Sequence, residues 1–281
     1  MSAVEQQRQK AERLRALHHG PETLILPNAW DVASACIIAE AGFSAIATSS
    51  AGIAFALGYP DGQKISRAEM LEQVGRIARK IKLPVTADVE SGYGGKPEDT
   101  RQTARDVIAC GAVGLNLEDA RDNGKYQMAD LSLQLEKIRA IREVAAKADV
   151  PLVLNARTDV YLEQVGLPEM RYDTTVKRLA AFCDAGADCV FAPGLQDPQA
   201  IARLVQDLDC PLNILAGPGS PSIPELHALG VARVSLGSGP MRASLGYLRR
   251  IAEEMRGPGT YTTLENGIPY AELNQLMSGN S

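Results

Sequence analysis

The sequence predicts an α/β fold, a closed (β/α)8 barrel of the TIM type with one helix before it and one after it, on three observations. Short apolar runs alternate with amphipathic segments from residue 24 to about residue 256, there are eight such runs, and the residues leading into them alternate in kind. Gly42, Gly111, Gly186 and Gly230 precede the second, fourth, sixth and eighth runs, where glycine suits the left-handed residue that ends a helix. Pro84, Pro151 and Pro211 precede the third, fifth and seventh, where proline fits a first strand position. A parallel barrel builds its interior layers from alternate strands, so this alternation favours a barrel over an open doubly wound sheet. With 281 residues, 45% of them apolar, one large core and a single domain over 1–281 are expected.

Taken in order, residues 3–18 read as an N-terminal helix, charged and Gln-rich rather than signal-like. Strands are expected at Leu24–Pro27, Ala45–Thr48, Val85–Val89, Val113–Leu117, Leu152–Ala156, Cys189–Ala192, Leu212–Leu215 and Ala232–Leu236. Among the helices, 66–80 is the best marked. Met70, Val74, Ile77 and Ile81 fall on one face, Ser66 and Glu69 have capping-box spacing, and Ile65 and Met70 are placed as a hydrophobic staple. Ser222 and Glu225 repeat the capping-box spacing. Beyond Gly257, a turn at Pro258 and Gly259 leads to an extra helix at Ile268–Met277, whose apolar face must be covered by its own barrel or by a neighbouring subunit.

Several function classes are excluded early. A net charge of −5, with no Lys/Arg cluster interleaved with aromatics, speaks against nucleic acid. No apolar run approaches the roughly 18 residues that span a bilayer, so no membrane partner and a cytoplasmic location are expected. Five cysteines without Cys-x-x-Cys spacing favour reduced, buried thiols over a disulfide framework or structural zinc. The three histidines, His18, His19 and His227, lie in helices, which argues against a Ser-His-Asp triad or a His-ligated zinc. No lysine stands at a strand end, as a Schiff-base aldolase would need.

A β/α barrel carries its site at the carboxyl ends of the strands. After the second strand come Thr48 to Gly52 and then a small-residue loop to Asp61. The third ends in Asp88 and Glu90, two residues apart and so on one face of an extended chain, before the glycines from Gly92 to Gly95. The fourth ends in Glu118 and Asp119, and the fifth in Asn155, Arg157 and Asp159. The seventh carries Asn213, and Arg242 follows the eighth. Clustered carboxylates beside one arginine suit a hard divalent cation, and Mg²⁺ takes only one or two direct carboxylates while keeping several waters. The competing reading is that these acids cap helices or pair with Arg157. Lys125, in the loop after the fourth strand, is the nearest candidate acid.

Five blocks in order identify a resemblance: Pro27-Asn28-Ala29-Trp30-Asp31, Leu57-Gly58-Tyr59-Pro60-Asp61, Ala87-Asp88-Val89-Glu90-Ser91-Gly92-Tyr93-Gly94, Asn116-Leu117-Glu118-Asp119 and Asn155-Ala156-Arg157-Thr158-Asp159. From about Leu26 to Arg242 the chain resembles the isocitrate lyase and phosphoenolpyruvate mutase superfamily. The resemblance implies a homo-oligomeric barrel, dimer or tetramer, whose last helix is exchanged between subunits, and Mg²⁺, with Mn²⁺ as a substitute, holding a small 2-oxo or 2-hydroxy carboxylic acid. Asp88 would bind the metal directly, with Asp61, Glu90 and Glu118 holding its waters. Arg157 would grip the substrate carboxylate, backbone N–H groups around Ser49, Ser50 and Ala51 would receive its oxygens, and Asn213 and Arg242 would line the far side.

The loop from Ala120 to Met128 departs from the family, having neither the Cys nor the His of the isocitrate and methylisocitrate lyases nor the run of the mutases. Phe191-Ala192-Pro193-Gly194 replaces a lyase glutamate after the sixth strand. The resulting expectation is a Mg²⁺-dependent lyase or decarboxylase that cleaves a C–C bond through an enolate. The alternatives are phosphonopyruvate hydrolase or mutase chemistry and a non-catalytic 2-oxo acid binder.

Overall fold

The computed structural model describes residues 2–121 and 127–279. Eight parallel strands form the main sheet: β1 (Leu24–Leu26, resuming as Asn28–Ala29), β2 (Ile46–Thr48), β3 (Val85–Asp88), β4 (Gly114–Glu118), β5 (Val153–Arg157), β6 (Cys189–Phe191), β7 (Leu212–Leu215) and β8 (Arg233–Ser235). Each expected apolar run becomes one of them.

The ring closes through β1. Its first half pairs with β8, Leu24 opposite Arg233, and its second half pairs with β2, Asn28 opposite Ala47. Pro27, which has no N–H to donate, sits where the partner changes. The side chain of Asn28 bridges the gap: Nδ2 donates to Thr48 O at 2.8 Å, and Oδ1 accepts from Leu236 N and Gly237 N, each at 2.8 Å. The strand therefore runs past Pro27, where the sequence reading ended it. Register partners lead from Leu24 through Arg233, Asn213, Phe191 and Arg157 to Glu118. Extending the same offsets through β3 and β2 re-enters the first strand's line at Val32, eight residues on from Leu24, which is the shear of an eight-stranded barrel.

The N-terminal helix (Ala3–Leu17) plugs the amino end of the ring, packing Ala11 and Leu14 onto Leu24, Leu26, Val113 and Val153. Each such fully buried leucine contributes about 2 kcal/mol of apolar burial. Both expected capping boxes form, Ser66 with Glu69 and Ser222 with Glu225, and Met70, Val74 and Ile77 are buried under the first. Gly42, Gly111, Gly186 and Gly230 all take positive φ. At the C-terminus the extra helix (Tyr270–Ser278) lays Leu273, Leu276 and Met277 on Ala35, Cys36, Ile77 and Ile81 of its own barrel. Among the described residues no helix is long and apolar enough to cross a membrane.

Two local expectations are corrected. The small-residue stretch after β2 begins as a helix, Ser50–Ala56, because the Ser49 side chain caps it by accepting from Gly52 N at 3.1 Å and Ile53 and Ala54 are buried beneath it. After β4 a short antiparallel pair forms between Ala120–Arg121 and Gln127–Met128, which the sequence reading left as loop.

Candidate active site at the carboxyl end of the barrel

The exit of β3 is built on backbone conformations that side chains resist. Glu90 and Tyr93 have φ of 51° and 55°, and Gln63, which faces them from the preceding loop, has φ of 54°. Each left-handed non-glycine residue costs of order 1–3 kcal/mol and persists only where its surroundings hold it. Here they do. Lys137 Nζ, from the helix Leu131–Ala148, donates to Ser91 O and Gly94 O, each at 3.0 Å. Thr103 Oγ1 donates to Gly92 O at 2.8 Å, and Gln63 N donates to Glu90 Oε2 at 2.7 Å. Because β3 ends at Asp88, Glu90 reaches the site through this turn and not through the strand alternation that the sequence suggested.

Asp88 is fixed but not satisfied. Its Oδ2 accepts from Ser50 N at 3.0 Å and Ser50 Oγ at 2.8 Å, at the first turn of the helix that Ser49 caps. Its Oδ1 is buried with no hydrogen-bond partner among the described residues. Around it the carboxyl groups resist ionising. Burial, then the charges of Asp88 and Asp61, push Glu90 up to about 8. Asp61 stands at the exposed rim, yet lost hydration of its carboxyl and then the Asp88 charge raise it as well. Burial pushes Glu118 well above the usual range, against the pull of Arg157. The Tyr93 hydroxyl is buried without a partner among the described residues, and burial followed by the Glu90, Asp88, Asp61 and Glu118 charges keeps it protonated.

The exit of β5 pairs its charges. Arg157 donates from Nε and Nη2 to the two oxygens of Asp159 at 2.5 and 3.0 Å, and Nη1 lies 2.9 Å from Glu118 Oε2. Burial opposes the guanidinium charge, but Asp159 and Glu118 outweigh it and hold it on. The Phe191 ring on β6 lies 5.8 Å from the guanidinium. Asp119, fully buried, accepts from Thr158 Oγ1, Asp159 N and Arg178 Nε at 2.6, 3.1 and 2.6 Å.

Thus Asp88, Glu90, Asp61, Glu118 and Arg157 come together in one electrostatic cluster, with Ser50 against Asp88. Ser49 N donates to Ala29 O and Ser50 N to Asp88, so neither amide is directed at a substrate oxygen, while Ala51 follows on the same helical turn. Asn213 lies fully buried inside the barrel, bonded to Ser235 Oγ at 3.2 Å. Arg242 is exposed on the helix Gly239–Arg256, and among the described residues no hydrogen bond or ion pair joins it to the cluster. Lys125 lies outside the described residues. The sequence reading missed Tyr93, Lys137 and Arg178; of these only Tyr93 stood inside a quoted motif.

The cluster fits a divalent cation on its own chemistry. Several buried carboxyl groups converge near a carboxylate oxygen that nothing satisfies, and a cation would neutralise both. Among the described residues no three His, Cys, Asp or Glu side chains form a ready-made metal site.

Comparison with known proteins identifies the family. The family model described as phosphoenolpyruvate phosphomutase matches residues 14–256. An uncharacterized protein of Mycobacterium tuberculosis is 36% identical over 262 residues, 93% of this chain and 94% of that one. The 2-methylisocitrate lyase of Bacillus subtilis is 32% identical over 73% of this chain and 67% of its own. Among solved structures, an oxaloacetate acetylhydrolase in complex with its product oxalate superposes with a TM-score of 0.84 at 27% identity, covering 95% of this chain and 93% of that one. The chain is therefore a member of the phosphoenolpyruvate phosphomutase family, within the isocitrate lyase and phosphoenolpyruvate mutase superfamily.

Proposed function

We propose that this protein is a Mg²⁺-dependent carbon–carbon lyase or decarboxylase acting on a small 2-oxo or 2-hydroxy carboxylic acid through an enolate. The observation that carries the reading is the buried, unpartnered Oδ1 of Asp88 within an acid cluster that faces Arg157. When bound there, a divalent cation would supply positive charge for the 2-oxygen as the enolate develops. Asp88 would hold it directly, and Glu90, Asp61 and Glu118 would hold its waters. Arg157, with Nε committed to Asp159, keeps N–H donors on Nη1 and Nη2 for one substrate carboxylate. The Tyr93 hydroxyl is the described group placed to donate a hydrogen bond into the cluster.

The relatives support the bond type: one is named for cleaving 2-methylisocitrate and another for hydrolysing oxaloacetate. A panel of oxaloacetate, 2-alkylmalates and isocitrates, assayed with Mg²⁺ and with EDTA, tests the proposal. Turnover of at least one member that EDTA abolishes is expected, and metal-independent or absent turnover across the panel refutes it. The family model's own description favours a second reading, carbon–phosphorus chemistry. Phosphonopyruvate with phosphate and phosphoenolpyruvate detection separates the two.

A further inference from the structure

Arg178 belongs to the helix Pro168–Asp184, behind the pocket, and contacts neither Asp88 nor Glu90 among the described residues. It is 7% exposed, and its neighbours are too specific for a chance ion pair. Nε donates to Asp119 Oδ2 at 2.6 Å, Nη2 donates to Ala129 O at 2.9 Å, and the guanidinium lies 5.7 Å from the Phe182 ring. Ala129 N in turn donates to Asp119 O at 2.7 Å. One side chain thus bolts both feet of the β4 loop to the helix. Further bonds of Asp119 lead to the site. Its Oδ2 accepts from Thr158 Oγ1, its Oδ1 accepts from Asp159 N, and Asp159 grips Arg157 through two parallel bonds. Asp119 N also donates to Arg157 O at 3.1 Å.

We propose that Arg178 is a positioning residue for Arg157, acting through Asp119 and the Thr158–Asp159 turn, and so sets the affinity for the substrate carboxylate without touching it. The physical reason is that Asp119 gives one oxygen to each donor of the turn, Oδ2 to Thr158 Oγ1 and Oδ1 to Asp159 N, and the bond from Arg178 Nε holds the carboxyl group in the orientation that serves both. The planar guanidinium also reaches Ala129 O, a two-point grip that a lysine ammonium cannot reproduce. Nothing in this chain of contacts passes through Glu90 or the unpartnered oxygen of Asp88.

The proposal rests on Arg157 being the carboxylate-binding group of the function proposed above, and the test separates the two. Oxalate affinity by calorimetry and Mn²⁺ affinity by electron paramagnetic resonance are measured on the wild type, Arg157→Met, Arg178→Met, Arg178→Lys and Thr158→Val, together with KM and kcat on whichever substrate is turned over. If Arg157→Met binds oxalate as the wild type does, the carboxylate role itself fails and the proposal with it. Given that loss, Arg178→Met is expected to weaken oxalate and raise KM about tenfold, with kcat and Mn²⁺ affinity within about twofold and partial recovery in Arg178→Lys. Unchanged oxalate affinity, or an equal loss of Mn²⁺ affinity that marks general loosening of the site, overturns it. Should Arg178→Met not fold, Thr158→Val decides: a twofold to fivefold loss of oxalate affinity supports the proposal, and none refutes it.

Discussion

The exits of β3 and β5 flank β4 in the same ring and treat buried charge in opposite ways. At β5, Arg157 stands between Asp159 and Glu118, and Asp119 between Arg178 and two donors of the turn. At β3, carboxyl groups face one another, one Asp88 oxygen has no partner, and two residues hold left-handed backbone. The charges of the β5 side are paired before anything binds, whereas the β3 side is unfavourable until positive charge arrives. Such a division lets one half of a pocket select a substrate by shape and the other respond to an ion.

The largest effect that would break this contrast is on the metal. Asp88→Ala should reduce Mg²⁺-dependent turnover at least about 10³-fold and remove Mn²⁺ binding, while the β5 exit keeps the fold. A folded variant with normal turnover would show that the unpartnered oxygen holds nothing. Next come opposite stability changes on the two sides, read by chemical denaturation in EDTA at pH 7. Glu90→Gln removes a carboxyl that is 4% exposed and resists ionising, and should stabilise the metal-free protein by about 2 kcal/mol. Asp159→Asn takes one partner from Arg157 and should destabilise it by about 3 kcal/mol. Changes of the same sign would erase the distinction.

The pH dependence sharpens it further. The Glu90 pKa in the folded chain, about 8, lies above its ordinary value of 4.5, so its contribution to stability is complete below about pH 4.5 and is lost as pH rises through about 8. Thermal unfolding in EDTA should show stability falling over that window, and Mg²⁺ should restore more at pH 8.5 than at pH 6, since the ion competes with the proton. An equal Mg²⁺ shift at both values would place the ion elsewhere. The smallest effect concerns Tyr93→Phe. Loss of an unpartnered buried hydroxyl should leave stability unchanged or slightly higher and lower kcat by no more than about tenfold, which steady-state kinetics with a melting curve would detect.

Most of the frame was legible in the sequence because each signal was local. Glycine and proline at the strand entrances, the Ser66–Glu69 box and the acids at strand ends all act within a few residues of where they stand. Asp88, Glu118 and Arg157 could be placed this way. Glu90 was placed in the right cluster by a strand argument, although a left-handed turn is what brings it there. Arg178 could not be found: it lies 59 residues from Asp119, on a helix whose inward positions look like ordinary core. Lys137 likewise reads as a surface lysine until the Ser91 and Gly94 carbonyls are seen at its end. Asn213 and Arg242 show the reverse, since a place on a strand or just after one says nothing of depth or exposure.

The clasp at Asn28 has a consequence in time. The Asn28 bonds to the end of β8 join residues 208 and 209 positions apart, and Pro27 has no N–H of its own to donate beside them. Both the Asn28 clasp and the ladder from Leu24–Leu26 to Arg233–Ser235 wait for β8, which is made last among the strands. Ring closure becomes a late step of high contact order, after which the rim that carries the acids can take its final shape.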